Sequence, residues 1–437
     1  MIQSTKPALQ PTLPQALTTM AAILETTPPI ASATTLKEAL MRAGAAMTSA
    51  KAGLMPADTT VQVLALETLE NGTERARVSG AGTEGWLSLK FLSALTRTPG
   101  PLTLTRETTA RGVSYLRGFL GTALDKNAPL AVVVHGTGYN AGVWIPALEE
   151  WHDLATERGA GFEVAALEWT GHGRSGRCPG EGASETRYDL ATVGRDDVLD
   201  VLDALRGPDA GRRAFAVAHS IGAQLCFHAE QHRPGAFAGL CCFEPMVYPA
   251  PPPAPRDAKG PSPFIKTTLK RRSAWPSDAD ARAYFKGTAF GKEWEPKVLE
   301  SYLDHGLIEN DDGSVSLAMD PETEASVYLN SGARGGPAAW KRVDEIECEV
   351  HVAAGGASTM STTFGPPSNA RHVATMKKIA EAVARGLEPP LPDVSGKYDG
   401  RLLVLDDANH NIIQEDAEWT ATFVDASLAR MSENLDS

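Results

Sequence analysis

The segment Ala218-His219-Ser220-Ile221-Gly222 has the residue types of a serine nucleophile on a sharp turn. A small residue two positions before the serine and a glycine two positions after it suit a strand-to-helix turn, because larger side chains would clash there. An apolar run precedes this segment, and a stretch of helical pattern follows it. We therefore predict that Ser220 projects above the edge of a sheet and that Ile221 begins a helix whose N–H groups can face an anion.

A serine hydroxyl becomes an effective nucleophile when a base accepts its proton. Where the nucleophile lies on such a turn, the histidine comes last in chain order. His410 has that position, because it follows the last apolar run, 402–405, by a short acidic loop. We predict that His410 is the general base.

A carboxylate should orient this imidazole and stabilise its protonated form. The usual place for it, directly after the apolar run Glu349 to Ala353, holds no acid. Glu244 ends another apolar run, where a charge is costly without a partner such as a buried imidazole. We assign Glu244 as the acid, and Asp406 and Asp407 remain as competing candidates in the loop before the histidine.

The loop after the first long apolar run supplies a second backbone donor. It reads His135-Gly136-Thr137-Gly138, and its glycines let the backbone come close to a reacting group. Acyl transfer on such a scaffold uses two N–H groups to bind the developing oxyanion. We predict that Thr137 and Ile221 provide them.

Apolar runs that alternate with segments of helical period must position these residues. The runs are 130–134, 162–167, 214–218, 240–243, 349–353 and 402–405. This alternation predicts an α/β fold with a mostly parallel sheet flanked by helices. Between Pro245 and about Trp340 a segment dense in proline and aromatic residues interrupts it. We interpret that segment as a cap inserted over the strand ends.

The first 100 residues have a different pattern. A Pro-, Thr- and Ala-rich arm, expected to be partly helical, is followed from Val61 by short alternating strands with a turn at Asn71-Gly72. The stretch from Thr48 to Ser88 resembles small SH3-like barrels. The predicted boundaries are 1–36 for the arm, 37–100 for the SH3-like β module, 101–245 and 341–437 for the α/β core, and 246–340 for the cap.

From about Arg106 to its end, the chain resembles the α/β-hydrolase superfamily. The resemblance rests on His135-Gly136-Thr137-Gly138, Trp169-Thr170-Gly171-His172-Gly173-Arg174-Ser175, Ala218-His219-Ser220-Ile221-Gly222, Phe243-Glu244-Pro245 and Asn409-His410-Asn411. The turn begins with Ala218 where glycine is usual. Within the superfamily the chain looks most like the branch with fungal toxin-biosynthesis hydrolases and a yeast peroxisomal lipase, on the segments Glu244-Pro245-Met246, 270–277 and His305-Gly306-Leu307.

The resemblance implies a serine hydrolase that forms an acyl-enzyme and needs neither a metal nor an organic cofactor. Its substrate would be a small-molecule ester (apolar acyl or aryl ester, lactone or thioester) selected by the cap. The expected substrate-binding residues are His135, Gly136, Gly138, His219, Met246, Trp275 and Tyr302. The cap aromatics that are candidates for the pocket are Trp275, Tyr284, Phe285, Phe290, Trp294, Tyr302 and Tyr328, although most should form the cap's own core. We expect the basic Lys270-Arg271-Arg272 to form a solvated helix face, with recognition of a carboxylate as the alternative.

Composition excludes several other classes. The 437 residues carry 41 Lys and Arg against 54 Asp and Glu, a net charge of −13 that disfavours nucleic acid and anionic membrane surfaces as partners. No apolar run reaches the roughly 18–20 residues of a membrane helix. The five cysteines lack metal-binding spacing, which predicts reduced thiols and no structural zinc. We found no targeting segment and therefore expect a cytoplasmic protein, whose oligomeric state the sequence leaves open.

Two other functions remain open at this point. A protein with this fold could bind a ligand without turning it over, because fold does not dictate function. The same triad could also serve a lyase or the hydrolysis of a carbon–carbon bond. Labelling of Ser220 by a fluorophosphonate distinguishes a hydrolase from a binding protein.

Overall fold

The computed structural model describes residues 31–34, 39–42, 51–68, 74–80, 83–88, 95–97, 101–124, 128–207, 211–248, 263–358 and 369–436. The chain divides into two compact units. One comprises Met1–Gly100 with Thr122–Asp125, and the other comprises Pro101–Gly121 with Lys126–Ser437.

The described residues of the first unit form an eight-stranded sheet. Its strands are β1 (Ala31–Thr34), β2 (Ala39–Arg42), β3 (Lys51–Met55), β4 (Thr60–Thr68), β5 (Glu74–Gly80), β6 (Thr83–Ser88), β7 (Leu95–Arg97) and, later in the chain, β10 (Ala123–Leu124). They pair antiparallel in the order β10-β7-β1-β4-β5-β6-β2-β3. Val61 and Val63 on β4 and Ala76 and Val78 on β5 alternate inward and are buried, as one covered sheet face requires.

The β-rich character predicted for this region is confirmed, and its SH3-like topology stays a prediction. Ala31–Thr34, which we placed in the N-terminal arm, forms a strand paired with β4 and β7. Residues 1–30 and the predicted turn at Asn71-Gly72 lie outside the described residues.

The second unit contains a ten-stranded sheet within its described residues. The strands of this unit are β8 (Leu104–Thr108), β9 (Ser114–Gly121), β11 (Leu130–Val134), β12 (Gly161–Glu168), β13 (Ala214–His219), β14 (Gly239–Phe243), β15 (Ala274–Trp275), β16 (Leu307–Glu309), β17 (Val315–Leu317), β18 (Glu349–Gly355), β19 (Arg385–Gly386), β20 (Lys397–Asp399) and β21 (Leu402–Leu405). Its helices are α1 (Ile145–Glu157), α2 (Arg195–Arg206), α3 (Ile221–His232), α4 (Pro263–Leu269), α5 (Asp278–Gly287), α6 (Ala289–Glu293), α7 (Pro296–Gly306), α8 (Pro321–Asn330), α9 (Gly336–Trp340), α10 (Asn369–Ala382), α11 (Ile412–Glu415) and α12 (Ala417–Asp436).

The centre of the large sheet is parallel, with the strand order β12-β11-β13-β14-β18-β21. These strands correspond to the six apolar runs of the sequence, so the predicted α/β fold is confirmed. Antiparallel strands, which the sequence analysis did not predict, extend the sheet on both sides: β9 and β8 on one and β20 on the other. In a parallel sheet the carboxyl ends of neighbouring strands share one edge. The loops that follow β11, β13, β14, β18 and β21 therefore meet at one edge.

Both faces of the sheet are covered, which explains why its strands are apolar without alternation. On β11, Val132 and Val134 belong to one hydrophobic layer, and Ala131 and Val133 belong to the other. The first layer continues into α2, α3 and α10, and the second into α1 and α12. Both layers hold the strand ends at fixed positions.

The segment between β14 and β18 forms the cap in the described residues 263–340. It consists of α4 to α9 and a small sheet of strands β15, β17 and β16. Trp275 is buried at 2% exposure against Phe285, with 5.2 Å between ring centroids. Among the helices of the described ranges, none is both long enough and apolar enough to cross a membrane.

Candidate functional site

Ser220 lies on the sharp turn between β13 and α3, as the sequence predicts. Its backbone has φ 56° and ψ −123°, a conformation that residues other than glycine rarely adopt. The Ser220 N–H donates to the Phe243 carbonyl at 2.9 Å, and the Ser220 carbonyl accepts from the Met246 N–H at 3.2 Å. These bonds fix the turn against the end of β14 and leave the hydroxyl directed away from the strand.

Ser220, His410 and Glu244 lie in hydrogen-bond contact. The Ser220 Oγ atom is 2.9 Å from His410 Nε2, and His410 Nδ1 is 2.9 Å from Glu244 Oε2. Ser220 is 6% exposed and Glu244 is fully buried. Because only an N–H can donate to a carboxylate, Nδ1 carries the proton and Nε2 is free to accept one from the serine.

Four donors surround the Glu244 carboxylate. Besides His410, the Gly355 N–H donates to Oε1 at 2.6 Å, the Ser358 hydroxyl donates to Oε2 at 3.2 Å, and His372 Nε2 contacts Oε2. Burial alone would raise the pKa of this carboxyl, but the two histidines and their hydrogen bonds outweigh it and hold the pKa well below its usual range. The carboxylate is therefore ionised beside the imidazole.

The end of β18 and the loop after it, the usual place of the acid, supply hydrogen-bond donors instead. Gly355 and Ser358 lie there and donate to Glu244, which comes from the neighbouring strand. His372, for which the sequence offered no positional argument, comes from α10. Asp406 and Asp407, the competing candidates for the acid, are exposed. The carboxylate that contacts His410 is that of Glu244.

The loop after β11 lies directly above the start of α3. A methyl group on Gly222 would sit 2.4 Å from the His135 carbonyl oxygen, so only glycine permits this approach. Within the described residues, neither the Thr137 N–H nor the Ile221 N–H donates to a protein acceptor. Both donors are thus available near Ser220.

Buried histidines fix the backbone around the site. His135 Nδ1 donates to the Gly136 carbonyl at 2.7 Å, and His172 Nε2 accepts from the Gly138 N–H at 3.2 Å. His219 Nε2 donates to the His410 carbonyl at 2.8 Å. Burial lowers the pKa of His135 to about 4, and burial together with His410 lowers the pKa of His219 to about 3. These imidazoles are therefore neutral and act as fixed hydrogen-bond partners of the loops.

A cavity of about 450 Å³ opens beside Ser220 and His410. Thr137 and Gly138 form part of its wall, and so do five of the cap aromatics: Phe285, Phe290, Trp294, Tyr302 and Tyr328. Trp294 packs against Phe290 and Tyr302 with ring-centroid distances of 5.0 and 5.6 Å. A volume of this size suits a small organic ligand.

Several predicted substrate-binding residues lie elsewhere. Gly138 and Tyr302 line the cavity. His135 and His219 are fully buried and do not line it. Gly136 lies next to His219, and Met246 belongs to the hydrophobic layer that includes α3. Trp275 is in the core of the cap, and Tyr284 is on its surface.

The polar part of the wall is foreshadowed in the sequence only by the alternative that Lys270-Arg271-Arg272 recognises a carboxylate. Arg271, expected on a solvated face, lines the cavity and forms an ion pair with the buried Glu324. Tyr139 also lines it, and its hydroxyl donates to Asn411 Oδ1 at 2.6 Å. The basic run 270–272 was the available signal for Arg271, whereas nothing in the sequence marked Glu324.

The described residues contain no group of three or more His, Cys, Asp or Glu side chains arranged to hold a metal ion. All five cysteines lie in this part of the chain, each buried and unpaired.

Comparison with known proteins gives the family. A family model described as "Alpha/beta hydrolase family" matches residues 131–423, which is more than half of the chain and includes the segments that hold Ser220, Glu244 and His410. The chain belongs to the alpha/beta hydrolase family. The superfamily resemblance drawn from the sequence motifs is thereby confirmed.

Individual relatives are more distant. Human monoglyceride lipase is 30% identical over 123 residues, 28% of this chain and 36% of the lipase, so the match spans about a third of that relative. The peroxisomal alpha-beta-hydrolase Lpx1 from Saccharomyces cerevisiae is structurally similar with a TM-score of 0.56 at 14% identity, over 77% of this chain and 91% of Lpx1. A thioesterase domain from the curacin biosynthetic pathway has a TM-score of 0.50 at 16% identity, over 74% of this chain and 99% of the domain. These two similarities concern the fold.

Proposed function

We propose that the protein hydrolyses a carboxylic ester through an acyl-enzyme on Ser220, with His410 as general base and Glu244 as the acid that orients it. The observation that carries the proposal is the hydrogen-bonded series from Ser220 Oγ through both His410 nitrogens to Glu244, each contact at 2.9 Å, next to a cavity of small-molecule size. The lipase name of the human relative also favours an ester over the part of the chain that it matches.

In the first half-reaction, Ser220 Oγ attacks the ester carbonyl carbon while His410 Nε2 accepts the hydroxyl proton. The carbonyl oxygen gains negative charge, which the N–H groups of Thr137 and Ile221 stabilise by hydrogen bonds. The imidazolium carries a positive charge at this stage, and the buried Glu244 carboxylate stabilises it. The tetrahedral intermediate then expels the alcohol, which takes the proton from His410.

In the second half-reaction, water attacks the acyl-enzyme while His410 Nε2 accepts its proton. The second tetrahedral intermediate releases the carboxylic acid, and Ser220 recovers its proton from the imidazolium. A lactone or thioester would follow the same steps because its electrophile is also an acyl carbon. No step requires a group other than the residues named and water.

The test is covalent labelling with a fluorophosphonate. The native protein should incorporate one probe per chain at Ser220, and Ser220→Ala should incorporate none and lose ester hydrolysis. Ser432→Ala is the matched control, since its hydroxyl donates to the Leu428 carbonyl in the C-terminal helix α12. Labelling of Ser220→Ala at the native rate would overturn the proposal.

A further inference from the structure

The charged pair in the cavity wall is the feature that the proposed mechanism does not use. Arg271 follows α4, and Glu324 lies on α8, and the two side chains form an ion pair. Glu324 is 5% exposed, and the Tyr328 hydroxyl donates to its Oε1 atom at 3.3 Å. Glu324 is buried and the Arg271 side chain is only 23% exposed, and because taking such charges out of water is costly, the ion pair by itself adds little stability.

The pair lies close to the site of chemistry. Both residues line the same cavity as Ser220 and His410. A methyl group added to Gly138 would sit 3.1 Å from Glu324 Oε1, which places the carboxylate against the loop that contains Thr137. A ligand at Ser220 therefore reaches this pair without leaving the cavity.

The hydrogen-bonding capacity of the pair is not used up by the protein. Among the described residues, the buried atoms Arg271 Nε and Trp294 Nε1 have no hydrogen-bond partner, whereas Glu324 Oε2 is paired with Arg271 Nη1. Arg271 Nη2 makes one long bond to the Met319 carbonyl, at 3.4 Å. A buried donor or acceptor without a partner is destabilising. The Arg271 side chain is 23% exposed and lines the cavity, so a ligand that offers an acceptor to its guanidinium is favoured over one that only covers it.

The charges at the cavity decide between three kinds of ligand. An alkyl chain would cover the pair and leave its polar atoms unsatisfied. A carboxylate would be attracted by Arg271 but repelled by Glu324 and by Glu293, which also lines the cavity. A hydroxyl group can donate to the carboxylate and accept from the guanidinium without adding charge.

We propose that Arg271 and Glu324 select an uncharged ester that bears a hydroxyl group. This inference rests on the proposed ester hydrolysis and replaces the apolar substrate expected from the sequence with a hydroxylated one. The two residues determine specificity and take no part in bond making or breaking.

Two matched ester series test the proposal by hydrolysis rates in a pH-stat. The first varies the acyl group: methyl butyrate, methyl 3-hydroxybutyrate and monomethyl succinate. The second varies the alcohol: propyl butyrate, 2,3-dihydroxypropyl butyrate and 2-carboxyethyl butyrate. In at least one series, kcat/KM of the native protein should be about ten-fold or more higher for the hydroxylated ester than for the other two, as one good hydrogen bond to a charged group provides.

The variant that tests the residues is Arg271→Met combined with Glu324→Gln, because removing both charges together avoids a lone buried charge. It should bring the ratio of kcat/KM between hydroxylated and apolar esters close to one. Lys270→Met, which changes an exposed neighbour of Arg271, should keep the native ratio. The ratio is informative because a general structural defect would lower all rates together.

Several outcomes would overturn the proposal. They are an apolar or anionic ester as the best substrate in both series, or a hydroxyl preference that survives in the double variant. If the double variant does not fold, the native preference still decides. Hydrolysis of apolar esters without any preference overturns this inference and leaves the proposed function standing. If none of the six esters is hydrolysed, the inference is overturned. If, in addition, Ser220 does not react with the fluorophosphonate, the proposed function is overturned as well.

Discussion

Replacing Glu244 with glutamine removes the negative charge and keeps the shape of the side chain. The Gly355 N–H donates to Oε1 at 2.6 Å, and an amide can satisfy this donor only with its carbonyl oxygen. The amide NH₂ then faces His410 Nδ1, which is 2.9 Å from the other oxygen in the native protein. The imidazole must present a bare Nδ1 to this donor. Its proton moves to Nε2, where it points at Ser220 Oγ and prevents proton acceptance from the serine.

The size of the effect follows from this change of tautomer. In serine proteases the matching acid-to-amide change lowers kcat about 10⁴-fold while the geometry stays intact. Glu244 is fully buried, so bulk water has no access to replace its charge. We expect kcat of Glu244→Gln to fall about 10³–10⁴-fold, which corresponds to about 4–5.5 kcal/mol of lost transition-state stabilisation. KM should change little because Glu244 does not line the cavity.

The assay is steady-state hydrolysis of a p-nitrophenyl ester, with circular dichroism and thermal unfolding to confirm that the variant is folded. Asp406→Asn and Asp407→Asn are the controls, since both residues are exposed and precede His410 in the same loop. Each control should stay within about two-fold of the native kcat, as expected for surface substitutions.

The opposite ranking would refute the reasoning. If folded Glu244→Gln keeps more than about a tenth of the native kcat, the tautomer argument is wrong. If Asp406→Asn or Asp407→Asn loses activity instead, the acid of the triad has been placed on the wrong strand end.

Two further predictions concern stability. Burial raises the pKa of Asp197 from its ordinary value of 3.8 to about 6, although the Thr170 N–H donates to Oδ2 at 2.7 Å. Between these values the folded protein binds more protons than the unfolded chain, so the free energy of unfolding contributed by Asp197 falls as pH rises, by at most about 3 kcal/mol. Urea unfolding of the native protein and of Asp197→Asn, each below pH 3.8 and above pH 6, measures this decline in the free energy of unfolding. The variant should lack the part that Asp197 contributes, and an equal decline in the native protein and the variant would contradict the prediction. Gly222→Ala should lower both kcat and the free energy of unfolding, the latter by about 2 kcal/mol or more, because the methyl collides with the His135 carbonyl. Gly332→Ala is its control, since no described atom lies within 4 Å of the added methyl, and similar losses in both variants would exclude the collision as the cause.

The sequence predicts the parallel sheet and the proximity of Ser220, Glu244 and His410 for one physical reason. Buried parallel strands appear as short apolar runs, and the residues that follow them are brought to one edge of the sheet. The order of these residues along the chain then suffices to predict which side chains are in contact. His410 contacts Glu244 and Ser220 although it lies 166 and 190 residues after them, respectively.

The rest of the site depends on packing that no local pattern encodes. His372 reaches Glu244 from a helix that begins beyond the undescribed residues 359–368, and Arg271 is half-buried where α8 brings Glu324 to it. A basic run on its own predicts a solvated face. The antiparallel strands β8, β9 and β20 are not evident from the sequence because they lie at or next to the sheet edges and are less uniformly apolar. The cytoplasmic location stays a prediction.

The most direct test of the mechanism is carbamoylation by p-nitrophenyl dimethylcarbamate, whose enzyme adduct would hydrolyse slowly enough to be isolated. We expect release of one equivalent of p-nitrophenol per chain, and peptide mass spectrometry should locate the dimethylcarbamoyl group on Ser220. His410→Ala should slow this release by several orders of magnitude. An adduct on another residue, or the same release from Ser220→Ala, would contradict the central claim that Ser220, activated by His410, attacks the substrate.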